Sequence, residues 1–115
     1  MRSVWADETG SAAAEFAVAL PAVALVLGLC VSGVAASAQQ VRLQDAAADA
    51  ARALGRGESA AVAAGSAGRQ IAGVGLESWA SGELVCARLS APAAGPIGAT
   101  GLRLQATSCA LDGGR

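Results

Sequence analysis

The stretch from Phe16 to Val41, FAVALPAVALVLGLCVSGVAASAQQV, contains no charged residue, and its reading decides the fold. Its apolar part, Phe16 to Ala38, exceeds the roughly 20 residues that an α-helix needs to cross about 30 Å of hydrocarbon. The competing reading is a buried core helix of a soluble protein. That reading fails on supply, because the roughly 75 residues beyond it are too few to wrap such a helix. Pro21 lies inside the segment, where it removes one helix hydrogen bond and favours a kink, which membrane helices tolerate near their ends. Gly28 to Ser32 and Gly33 to Ser37 are two small-xxx-small spacings, which allow neighbouring helix backbones to approach closely. Cys30, mid-span, reads as a small apolar residue.

The helix is expected to outlast the membrane. Val41 to Leu54 (VRLQDAAADAARAL) is built from strong helix formers without Gly or Pro. Leu43, Ala47, Ala50 and Leu54 recur at three- and four-residue spacings and form an apolar stripe. Arg42, Asp45, Asp49, Arg52 and Arg56 recur the same way on another face, with Arg42–Asp45 and Asp49–Arg52 spaced as i,i+3 pairs. A helix from about Ala12 to Leu54 would be on the order of 65 Å long at 1.5 Å per residue. Gly55 and Gly57 supply its stop.

The rest of the chain reads as a small module. A second helix is predicted from about Glu58 to Ala72, closed by Gly73 and Gly75. Two stretches have strand character, Glu83 to Ala91 (ELVCARLSA) and Leu102 to Cys109 (LRLQATSC). Between them PAAGPIGATG is a turn-rich connector, so the two stretches read as an antiparallel hairpin with a long loop. That hairpin folds Cys86 and Cys109 roughly opposite each other. A disulfide there closes a loop of about 24 residues and contributes roughly 3 kcal/mol, a large share for so thin a domain. It also requires the module to sit outside the reducing cytosol. The expected fold class is therefore α+β: a long N-terminal transmembrane helix, then a module with a short helix and a disulfide-linked β-hairpin.

Composition narrows the functions. The chain has 115 residues and a formal net charge of −1. Its cations are all Arg, and no Arg run provides the electrostatic footprint of a nucleic-acid binder. His is absent, which removes the commonest general base and metal ligand. Two paired cysteines without His do not make a zinc site. Asp45 and Asp49 stand one turn apart, as acid–base pairs do, but beside Arg42 and Arg52 they read as a solvated charged face. No cofactor and no enzymatic activity are expected. One Phe, two Trp and no Tyr leave a core of Ala, Val and Leu, so part of the stability is expected from neighbouring subunits.

Directly before the span stands Gly10-Ser11-Ala12-Ala13-Ala14-Glu15-Phe16. A carboxylate at the edge of an apolar helix is costly unless exposed or paired. If the chain is cut after Gly10, Ser11 gains an α-amino group one helical turn from Glu15. In a packed bundle that carboxylate could pair with the amine of a neighbouring subunit and set the axial register.

A glycine, four small or polar residues, then Glu and an aromatic opening an apolar helix resembles the processing site of type IV pilins of the tight-adherence (Flp) class. The run QQVRLQDAAADAARALGRG and the late cysteine pair with CALDGG resemble the TadE-like minor pilins of that system, especially those of actinobacteria. The resemblance implies a leader over residues 1–10, a long helix over 11–57 with its span at about 16–38, and an extracytoplasmic module over 58–115. It implies a prepilin peptidase cutting between Gly10 and Ser11, and Glu15 and Phe16 acting in assembly. It further implies partners among other pilin subunits and the Tad assembly platform, and a plasma-membrane or pilus location with the N-terminus cytoplasmic.

Two features depart from that pattern. The leader carries Arg2 but also Asp7 and Glu8, where pilin leaders are often more basic. Arg42, Arg52 and Arg56 lie beyond the span, and the positive-inside rule alone would put them in the cytoplasm. The disulfide and the motif both demand the opposite orientation, which is the one adopted. Two other readings compete. Ala36-Ser37-Ala38 fits a signal-peptidase site, which would release a small secreted protein starting at Gln39. An uncleaved single-pass anchor or assembly protein would keep Met1.

Overall fold

A computed structural model describes residues 4–113 of the chain, with side chains from Gly10 onward. The expected leader therefore lies outside the described side chains except for Gly10. The element order is α1 (Val4–Gly55), α2 (Ala60–Gln70), β1 (Gly75–Ser81), β2 (Leu84–Pro92), a 3₁₀ turn (Pro96–Thr100) and β3 (Arg103–Leu111). The chain divides into two compact units, one up to Gly33 and one from Val34 onward.

The described residues of the first unit are helix alone. α1 continues through Pro21, and every residue from Gly10 to Val31 is exposed. Its apolar side chains include Phe16, Leu25, Leu27 and Leu29, all more than half exposed. Among the described residues this is the one helix long and apolar enough to cross a membrane.

In the second unit the same helix finds a partner within its own chain. Leu43, Ala46, Ala47, Ala50 and Ala51 turn inward and are buried. Thus the predicted stripe of Leu43, Ala47, Ala50 and Leu54 does face the core, with Leu54 packed at its margin. The helix ends in a Schellman motif: Glu58 N–H donates to Ala53 O at 3.1 Å and Gly57 N–H to Leu54 O at 3.0 Å. Gly57 takes φ 90°, the left-handed conformation that this stop requires. α2 is shorter than expected. Its N-cap is Ser59, whose Oγ accepts from Val62 N–H at 3.2 Å.

The strands form one antiparallel sheet in the order β1-β2-β3. The expected hairpin is present as β2 and β3, shifted by one or two residues at their ends. β1 is an addition to it. Gly75–Ser81 pairs along β2 from Gly75–Ser90 to Ser81–Leu84. The two strands join through Gly82-Glu83, with Gly82 at φ 62°, the pattern of a type II′ hairpin. A third strand gives the sheet a face wide enough for α1 to cover.

The core lies between that face and the helices. Leu43, Ala46, Ala47, Ala67 and Ile71 meet Leu89, Ala91 and Ala106, with Val74, Leu76 and Leu104 at the edge. Most of the buried positions among the described residues are alanine. Such a core gains less from burial than one of aromatic and branched side chains, since each missing CH₂ forfeits about 0.8 kcal/mol. What alanine permits is close approach of backbones. At the end of α1, a Cβ added to Gly55 would stand 2.6 Å from Leu111 O.

Candidate assembly site

The motif residues Gly10, Ser11, Glu15 and Phe16 all lie on α1 within the first unit. Ser11 and Glu15 are four residues apart on a continuous helix and share one face. Glu15 is exposed and makes no ion pair among the described residues. Phe16 is 68% exposed. The arrangement is a carboxylate at the mouth of an apolar helix with no partner of its own. Placed beside hydrocarbon, it calls for a cation from outside the chain.

Cys86 and Cys109 are directly opposed in the β2–β3 register and joined, with Cα atoms 4.0 Å apart. They lie on the sheet face turned away from α1, since Cys86 alternates with the core-facing Ala87 and Leu89. On that face Trp79 is the β1 partner of Cys86. The Arg88 guanidinium lies over the Trp79 ring at 5.1 Å and reaches Glu77 at 3.7 Å. The face thus carries an aromatic ring, a cation and a disulfide in adjacent positions. Cys30, in the first unit, is free and exposed.

Three glutamines that sequence reading passed over hold the helix to the sheet. Gln39 Nε2 donates to Pro92 O at 2.8 Å while its Oε1 accepts from Ala94 N–H at 2.7 Å. Gln40 Nε2 donates to Gln105 O at 2.8 Å, and Gln44 Nε2 to Thr107 O at 3.1 Å. Gln105 and Thr107 are alternate residues of β3, so their carbonyls point to its outer rim, away from β2. Gly113 N–H closes the far end on Gly55 O at 2.9 Å. Residue numbers along helix and strand rise together through these contacts, so the helix segment and β3 run in the same direction. The only signal in the sequence was the placement of carboxamides on the first turns after the apolar run, where a side chain with both donor and acceptor suits backbone partners.

On the charged face of α1, Arg52 pairs with Asp49 at 3.0 Å as its spacing suggests. Arg42 and Asp45 are exposed, and no ion pair joins them among the described residues. No group of three or more metal-ligating side chains occurs among the described residues.

Residues 10–52 match the family model described as TadE-like protein. The match begins at the glycine before the span, runs the length of the apolar segment and ends in the helix turns that pack on the sheet. No curated protein and no solved structure matches the chain.

Proposed function

We propose, on the premise that this is a TadE-like, Tad pilus-related protein anchored in a membrane by α1, that it is a minor pilin or pseudopilin made as a precursor and cut between Gly10 and Ser11. The observation that carries the reading is the family match from Gly10 to Arg52, which includes cleavage motif, span and sheet-binding helix in one segment. A subunit cut after Gly10 loses only that glycine from the matched segment and keeps the span and the sheet-binding helix. A product starting at Gln39 would discard most of the matched segment.

In this reading the new α-amine of Ser11 and the Glu15 carboxylate meet between neighbouring subunits, each offsetting the other's desolvation. Phe16 packs against the same neighbours. The helix gathers with other pilin helices, first in the membrane and then in a filament or its tip. The module faces outward, an orientation supported by the disulfide, which persists in oxidising compartments. The chain is the prepilin peptidase's substrate and a structural subunit, with no catalysis of its own.

The test is the N-terminus of the mature chain isolated from membranes. Ser11 is the expected first residue; Met1 or Gln39 would overturn the proposal. Glu15→Ala should insert normally yet co-purify poorly with pilus components, and undiminished co-purification would remove the amine-pairing role.

A further inference from the structure

The end of the apolar span and the base of the module enclose a cleft of about 490 Å³. It lies wholly within the second unit. Ala35 and Ala38, from the last turns of the apolar run, form one wall; Ile71 and Pro92 contribute to the other, and Arg42 stands at the rim. We infer that this cleft holds the head group of an anionic phospholipid, with its phosphate on the Arg42 guanidinium and its glycerol–acyl junction against the alanines and Pro92.

Three observations carry this. The first is position. Ala38 closes the apolar run and Arg42 is the next charge along the helix, one turn on, so a spanning α1 sets the cleft at the depth of the head groups. Long basic side chains near helix ends reach for that layer. The second is charge. Every other arginine with a described side chain has a partner: Arg52 with Asp49, Arg56 with Glu58, Arg69 with Ser66, Arg88 with Glu77 and Arg103 with Ser90. Arg42 has none among the described residues, and its planar fork of donors matches a phosphate. The third is the surrounding surface. The connector from Ala91 to Leu102 carries no charge, and Gln39 fastens it to the turn where the span ends. An uncharged loop at that level lies easily against lipid.

The inference needs only that α1 spans a membrane, on whichever side the module stands, so it survives a mature chain that keeps Met1 and falls with one that begins at Gln39, which lacks Ala35 and Ala38. The experiment reconstitutes the full chain into vesicles of phosphatidylcholine with a minority of phosphatidylglycerol, extracts it gently and weighs the lipid that stays bound by native mass spectrometry. Phosphatidylglycerol should be enriched on the wild type over its share of the vesicle. Arg42→Gln should lower that retention by about tenfold, the loss expected for one charged hydrogen-bonded contact. Arg56→Gln, whose arginine is already paired, should leave it unchanged. Lipid retained in proportion to vesicle composition, or equally by wild type and Arg42→Gln, would overturn the assignment. Should Arg42→Gln fail to fold, the composition comparison on the wild type decides alone.

Discussion

α1 is one helix in two situations. From Gly10 to Val31 its apolar side chains are exposed all round, with no cover among the described residues. From Arg42 onward it alternates a face of leucine and alanine with a face of arginine and aspartate, and the sheet takes the apolar face. The lesson lies in where each half obtains its partner. A helix hydrophobic on every side must be solvated by lipid or by other helices. A helix with one apolar face, on a chain this short, can be satisfied from within. The boundary between the halves is marked by the glutamines, which are too polar for hydrocarbon and suited to backbone groups.

The comparison predicts sharply unequal responses to mutation. The largest loss of module stability is expected from Leu43→Ala, since Leu43 is fully buried and its removal leaves a cavity worth about 2–5 kcal/mol. The equivalent Leu25→Ala, in the exposed half, should leave unfolding of the module unchanged. Denaturant titration of the full chain in detergent, followed by Trp79 emission in a Trp5→Phe background, measures both. Equal effects would dissolve the distinction between the halves. Replacing Cys86 and Cys109 together by serine should cost about 3 kcal/mol, the value of closing a loop of this length, read as the shift in the same titration. Reduction should also brighten Trp79 emission, because Trp79 is the cross-strand partner of Cys86 and disulfides quench nearby indoles. Emission indifferent to reduction would contradict that register.

Smaller effects test the seam itself. Gln40→Ala should cost about 1 kcal/mol, one net hydrogen bond, and speed amide exchange along β3 before β1. Uniform acceleration across all three strands would mean the glutamine does not act at the rim. Ser59→Ala should cost about as much through the α2 cap, again about 1 kcal/mol, and be visible as lost helicity limited to α2.

Much of this architecture was legible in the residues alone, and the reasons differ by element. The long helix announced itself through an uncharged run and then a run of helix formers, and its glycine stop lies where Gly55 and Gly57 predicted it. The β2–β3 hairpin and its disulfide came from two strand-like segments around a connector rich in Pro and Gly. β1 was hidden because GLESWAS offers Gly, Glu and two Ser against weak alternation, with Leu76 its one residue packed at the core margin. It is a strand because β2 supplies a pairing partner and Gly82 a tight turn, which is tertiary context overriding local propensity. The glutamine contacts were invisible for a related reason: their partners are main-chain groups, which leave no mark in residue types. Gly10, Ser11, Glu15 and Phe16 were legible only as a pattern, because all four stand exposed on α1 without the packing that marks the core stripe.

The carboxamides on the β3 rim have one more consequence. A bare strand rim is an invitation to pair with the edge of another molecule and to stack sheet on sheet without end. By occupying the carbonyls of Gln105 and Thr107 with its own helix, the molecule withdraws that rim from intermolecular pairing. What stays open to contact is the exposed apolar length of α1, where side-chain geometry rather than backbone hydrogen bonding sets any fit.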